Sequence, residues 1–298
     1  MDLLPIQYWK MSEAVLPSVI DSMNERVNFD LEKYEISLEE FIRYNEVLRD
    51  ESLLLEIIDF SKAFLNVFGK SISGKGLELG AGVGYLSSVL SSEKEVEKLF
   101  VLEYAAQYAE KIMPIVFQHY AQYLHKLQRV VGDFNRLEMD DESLDFIYEI
   151  DSLHHSENLS KTLNECYRVL RPGGFLFAID RGWPDKTSDE TLERSLNREL
   201  NPLLKERYGL DSSKSITRKD WGEHEIRIKD WMAAFNSAGF TSHYIEQWHP
   251  PFLNRVWKKI LTPSLMVKRA RSEFLMGSYR HKMYGYYNKV VFICFKPD

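Results

Sequence analysis

The stretch Leu77-Glu78-Leu79-Gly80-Ala81-Gly82-Val83-Gly84-Tyr85-Leu86 decides how the rest of this chain is read. Three glycines at alternate positions interrupt an apolar run, and Glu78 stands two residues before the first. Glycine removes the Cβ and lets backbone turn sharply and approach a ligand closely. A dinucleotide fingerprint, G-x-G-x-x-G, counted from Gly80 would need glycine where Tyr85 stands. A phosphate-cradling P-loop would need a lysine that the turn lacks. An acid beside the turn repels phosphate and suits a cationic ligand such as an amino group or a sulfonium.

Outward from that turn, strand and helix patterns alternate. GKGLEL (74–79), KLFVLE (98–103), LQRVVGD (127–133), LDFIYEI (144–150) and FLFAID (175–180) read as strands. Helices are expected over 83–91, 105–127 and 158–170, with RPGG (171–174) ending the last. This rhythm predicts right-handed crossovers and a doubly wound α/β domain with a mostly parallel sheet. A further helix over 227–240, ended by Gly239, precedes two last strands at 241–249 and 289–295.

In such a sheet ligands bind beyond the carboxyl ends of the strands, near the point where strand order reverses. Glu103 ends the second strand, where a carboxylate can accept both hydroxyls of a ribose. Asp133 ends the third, where it meets an exocyclic amine or caps its own loop. Asp151, His154 and His155 follow the fourth, beside the place of a reacting group; histidine is the natural base near neutral pH. The segment GEHEIR (222–227) sets His224 between two acids, on the substrate side or in a surface turn. Asp145 reads as structural, as do His243 and His249. No histidine pair has i, i+4 ligand spacing, so no metal is expected.

These motifs together resemble those of class I S-adenosylmethionine-dependent methyltransferases. LELGAGVG is similar to the family's first motif and VLEYA to its acidic second strand. VVGDFNRLEMDDESLDFIYEIDSLHH resembles the run from adenine contact to active site, and ECYRVLRPGGFLFAID the late motif. The likeness covers roughly 70–180 and includes the HH of a type-11 or ubiquinone-pathway-like subgroup. It implies a Rossmann-like seven-stranded sheet with the last strand antiparallel. It implies S-adenosylmethionine as cofactor and S-adenosylhomocysteine as product. By resemblance Glu78, Gly80, Ala81 and Gly82 hold the amino-acid end and Glu103 the ribose. Tyr104 lies against the adenine, Asp133 and the Phe134 backbone read its edge, and Ile150 is a further cofactor-binding residue. Asp151, His154, His155 and His224 are the candidate catalytic residues.

Residues 1–70 read as a helical cap, with Ser37 and Glu40 spaced as a capping box. Residues 71–298 then form the methyltransferase domain, with insertions at about 181–225 and 250–288. In the second insertion, Phe252, Leu253, Val256, Trp257, Ile260 and Leu261 share a helical face beside basic residues. This is a core-docked helix, a lid or a contact for an anionic membrane.

The bulk numbers agree with a packed enzyme domain. Of 298 residues, 44% are hydrophobic and 28% charged, outside the range of disordered chains. The net charge of −7 is uneven: residues 1–180 carry 17 basic and 31 acidic side chains, 181–298 carry 21 and 14. An acidic front half argues against nucleic-acid binding. Two cysteines, Cys166 and Cys294, exclude a disulfide framework. The N-terminus lacks the basic start and apolar stretch of a signal peptide, which leads to an expectation of a cytoplasmic protein. The first expectation for activity is O-methylation of a small molecule or saccharide. A lipid-linked or quinone-like acceptor is the alternative within enzymes, and a non-catalytic cofactor-binding regulator is the alternative of another class.

Overall fold

A computed structural model describes residues 3–11, 51–202, 205, 213–248 and 289–298. Its strands are β1 (Gln7–Tyr8), β2 (Gly74–Leu79), β3 (Val96–Glu103), β4 (Leu127–Val131), β5 (Leu144–Ile150), β6 (Leu170–Arg181), β7 (Thr241–Trp248) and β8 (Lys289–Phe295). They form one sheet in the order β1-β4-β3-β2-β5-β6-β8-β7. All neighbouring pairs from β1 to β6 are parallel; β8 runs antiparallel to both β6 and β7. Seven strands are those expected. The two-residue β1 is an addition at the edge, inside the region read as helical. It pairs with β4, and the Trp9 N–H reaches the Val131 carbonyl at 2.8 Å.

Both sheet faces are covered, as a parallel sheet requires. On one face, Phe146 and Tyr148 of β5 join residues of α1 (Glu51–Val67), α2 (Tyr85–Leu90) and α3 (Met113–Tyr120). On the other, Leu144 and Ile147 pack with α4 (Leu159–Val169). The 181–225 insertion contributes a short helix, α5 (Asp189–Leu196). The helix α6 (Ile228–Ala238) joins the second face through Trp231, Ala234 and Phe235. Asn158 caps α4 by accepting the Lys161 N–H, and Gly239 ends α6 at φ 97°.

Two boundaries differ from expectation. The helix expected over 105–127 is divided: a wide π-type turn at Tyr108–Ile112 leads into α3, which stops at Tyr120. Pro114 stands in the first turn of α3 and has no N–H to give. RPGG does not simply stop α4; Leu170 already belongs to β6, and the Gly173 N–H bonds the Lys296 carbonyl. The Ser37–Glu40 capping box and the 250–288 insertion lie outside the described residues. Among the described residues no helix is long and apolar enough to cross a membrane.

The topology positions the site. The chain leaves β2 toward β3 and β4, then returns to the other side of β2 as β5. The crevice beyond β2 is therefore the switch point. An antiparallel strand presents its first residue where parallel strands end, so Lys289 at the start of β8 lies in register with Arg181 at the end of β6.

Candidate active site

The glycine turn follows β2, with Gly80, Gly82 and Gly84 all at positive φ (61°, 53° and 82°). Each requirement is different. A Cβ on Gly80 would sit 2.4 Å from Ser152 Cβ, whereas one on Gly82 would meet nothing within 4 Å. Gly82 thus leaves open space beside its backbone. Its N–H donates to Glu103 Oε2 at 2.7 Å, and the Ala105 N–H donates to Oε1 at 3.0 Å. Glu78, one strand over, accepts from the Ser87 hydroxyl. Among the described residues neither carboxylate has a basic partner. Burial, which penalises the charged form, pushes Glu78 up to about 8 and Glu103 up to about 7 against their hydrogen bonds.

The remaining cofactor candidates lie at or just past the carboxyl ends of β2, β3, β4 and β5. Ala81 is buried, and its N–H bonds the Leu102 carbonyl. Tyr104 and Ile150 pack half-buried against one core face and Phe134 against the other. Asp133 is buried, and its Oδ1 accepts the Asn135 N–H at 2.7 Å, a local turn cap. Asp145 accepts the Lys75 N–H at 2.6 Å, a structural use.

Beyond β5 and β6 the structure brings all four candidate catalytic residues into one cluster. Asp151 follows β5 at φ 60°, a left-handed conformation uncommon for a residue with a Cβ. Its N–H bonds the Ile179 carbonyl at 2.8 Å. Oδ1 accepts from Arg181 Nε at 3.2 Å and from Lys289 Nζ, with His154 Nδ1 3.8 Å away. Burial opposes ionisation of Asp151, yet Lys289, Arg181 and His154 hold its carboxyl well below the usual carboxylate range.

His154 has no exposed side-chain surface. Its Nδ1–H donates to Asp180 Oδ1 at 2.7 Å, and Nε2 faces Glu223 Oε2 at 3.4 Å. Burial and Arg181 disfavour its charge, but Asp180 and Glu223 outweigh them and raise it to about 9. Raised in this way and wholly enclosed, the ring holds its proton at neutral pH.

His155 is the opposite case. Its Nδ1 lies 2.8 Å from the Gly222 carbonyl, which only accepts, so Nδ1 carries the proton and Nε2 the lone pair. Burial and the neighbouring His154 lower it to about 4, so the ring is neutral. His224, about one-third exposed, donates from Nδ1 to the His154 carbonyl at 3.0 Å. Its Nε2 is 3.9 Å from Glu157 Oε2.

Sequence reasoning missed Glu149, Ser152, Asp180, Arg181, Glu223 and Lys289. Asp180 and Arg181 end a strand whose carboxyl end faces the crevice, a signal that was available. Lys289 had none, since its place depends on the antiparallel pairing of β8. Two groups, His154–His155–Glu223 and Asp151–His154–Asp180, bring possible metal-ligand atoms within 4.8 Å of one another. Arg181 already stands against carboxylates of both groups, Glu223 in one and Asp151 in the other, and Lys289 stands against Asp151.

The family model described as a methyltransferase domain matches residues 77–178. A sterol 24-C-methyltransferase of Aspergillus fumigatus is 27% identical over 172 residues, covering 56% of this chain and 39% of the relative. A malonyl-[acyl-carrier protein] O-methyltransferase of Methylococcus capsulatus is 34% identical over 100 residues, covering 34% of each. The chain thus spans well under half the length of these curated relatives. A solved structure provisionally assigned as a sarcosine dimethylglycine methyltransferase of Galdieria sulphuraria superposes with a TM-score of 0.53 at 19% identity. That superposition covers 84% of this chain and 86% of the other, and bears on the fold alone.

Proposed function

We propose, from the premise that residues 77–178 form a class I S-adenosylmethionine-dependent methyltransferase domain, that this chain O-methylates a small molecule or saccharide. The observation that carries the cofactor part of this reading is the pair of buried carboxylates, Glu78 and Glu103, flanking a glycine turn with no basic partner among the described residues. Such a pair fits a ligand that bears both positive charge and vicinal hydroxyls. S-adenosylmethionine has an ammonium, a sulfonium and a ribose diol. The open space at Gly82 leaves its backbone accessible to such a ligand. Glu78 and the Gly80–Gly82 backbone would hold the amino-acid end, and Glu103 the ribose. Tyr104, Phe134 and Ile150 would line the adenine side with Asp133.

When bound, the cofactor supplies an electrophilic methyl carbon to a nucleophile held in line. His155 Nε2 is the group for the acceptor's proton. A base lowered to about 4 is weak toward a free hydroxyl. It suffices once the new C–O bond forms, because the alkylated oxygen then becomes strongly acidic. Asp151, ionised and fixed by Arg181 and Lys289, orients the acceptor through a hydrogen bond. His154 acts through others: charged and enclosed, it holds Asp180 and Glu223 and carries the backbone that His224 grips. Glu223 and His224 set the 181–225 insertion against this cluster.

A lipid-like acceptor is the second reading, favoured by the similarity to a sterol-methylating enzyme over more than half the chain. Calorimetric titration of S-adenosylmethionine into the wild type and Glu103→Ala tests the cofactor reading. Low-micromolar binding, weakened more than about tenfold in the variant, is expected; no binding to the wild type overturns it. Labelled methyl transfer to hydroxylated and sterol-like acceptors then separates the two acceptor classes.

A further inference from the structure

Glu149 is fully buried on β5, in register with Leu79 of β2, the residue before Gly80. Its Oε1 accepts the N–H of Ser152 at 2.5 Å and of Leu153 at 3.2 Å, with Ser152 Oγ 3.1 Å away. Its Oε2 is buried with no partner among the described residues. An unpaired charge there would be costly; burial and the nearby Asp180 push this carboxyl well above its usual range, so it is a neutral acid. Ser152 Oγ in turn donates to the Leu79 carbonyl at 2.9 Å. The space beside Gly80 Cα is filled by Ser152 Cβ and Oγ. One carboxyl therefore holds two N–H groups of the acceptor-side loop, and through Ser152 that loop rests on the cofactor turn.

We propose that Glu149 and Ser152 are positioning residues that lock the Asp151–His155 loop to the Gly80 turn, so that ligand at the turn stabilises the acceptor-side groups. The inference rests on the cofactor reading above. Neither residue touches the reacting atoms; both act through Asp151 and His155. The lock places a strand-interior acid at the junction of the two half-sites. Because the acid is neutral, an amide of the same shape can replace it: after a Glu149→Gln change, the side-chain carbonyl would still accept both N–H groups.

The test is amide hydrogen exchange with and without saturating S-adenosylhomocysteine, with calorimetry on the same samples. In the wild type, protection is expected to rise at 80–84 and, by roughly fivefold or more, at 152–155. In Ser152→Ala the gain at 80–84 is expected to persist while that at 152–155 falls below roughly twofold. Glu149→Gln is expected to behave as wild type and Glu149→Ala as Ser152→Ala. No binding to the wild type overturns the cofactor reading itself. Binding that protects 80–84 but not 152–155 overturns the lock alone. So does wild-type protection at 152–155 in Ser152→Ala, which removes one hydroxyl and keeps the fold testable if Glu149→Ala does not fold.

Discussion

The two halves of the crevice use the same residue types in opposite ways. Around the glycine turn, Glu78 and Glu103 are buried and, among the described residues, have no basic partner, and burial drives both carboxyls upward. Beyond β5 and β6, Asp180 is wholly buried and Asp151 and Glu223 are largely enclosed, yet Lys289, Arg181 and His154 hold all three below their usual range. The first arrangement leaves charge to be completed by a ligand. The second pairs these three carboxylates within the protein and fixes their geometry. An incomplete site gains binding energy at the expense of stability in the free protein; a complete one contributes rigidity and little affinity.

The largest expected effect separates the adjacent histidines within the second half. His155→Ala should lower methyl transfer by about 10²–10⁴-fold while leaving S-adenosylmethionine affinity within a factor of two or so. A transfer rate unchanged in that variant would remove His155 as proton acceptor. For the wild type, a base lowered to about 4 must be neutral to work, so activity should stay level as pH falls from 7 toward 5 and drop near 4. An acid limb well above that value would count against His155 as the proton acceptor.

Next in size is the ion network. Lys289→Met leaves Asp151 buried with one cation fewer, and breaking a buried pair typically costs about 3–5 kcal/mol. Denaturant unfolding should show a loss of that order, with cofactor affinity largely kept in the folded fraction. His154 adds a pH signature. Its folded value, about 9, lies above the unfolded 6.5, so its contribution is full below about 6.5 and is lost as pH rises through 9. Thermal unfolding of the wild type between pH 7 and 10 should report that loss, and His154→Gln should flatten it.

The same contrast explains what the sequence made legible. Glu78, the glycines and Glu103 lie within 26 residues, and their spacing follows from one strand-turn-helix-strand unit. The doubly wound, mostly parallel sheet follows from the alternation of elements; its strand order comes from the structure. The acceptor side is assembled from β5, β6, β8 and the 181–225 insertion, so its chemistry is non-local. Asp151, His154, His155 and His224 were visible as residue types. Which of the two adjacent histidines is charged depends on Asp180 and Glu223, 26 and 69 positions beyond His154. Glu149 was read through as a strand residue, because an acid on a buried strand carries no spacing signal of its own.

The smallest effect tests the cost of incompleteness on the cofactor side. Glu78 has a folded value of about 8 against an ordinary carboxyl value of about 4.5. A raised carboxyl binds a proton in the native state that the unfolded chain has released. Between those values native stability therefore falls as pH rises, and the cost is fully present above about 8. Glu78→Gln has no such cost. At pH 8 the ligand-free variant should melt roughly 2–4 °C above wild type, the shift that about 1 kcal/mol produces in a domain of 150–250 residues. At pH 5 the difference should shrink toward zero, since the wild-type carboxyl is then protonated as well. Binding should move the other way, with S-adenosylmethionine affinity falling by about tenfold or more. Equal melting at both pH values would mean that Glu78 is already balanced within the protein, and the distinction between the two halves would fail at the residue that best represents it.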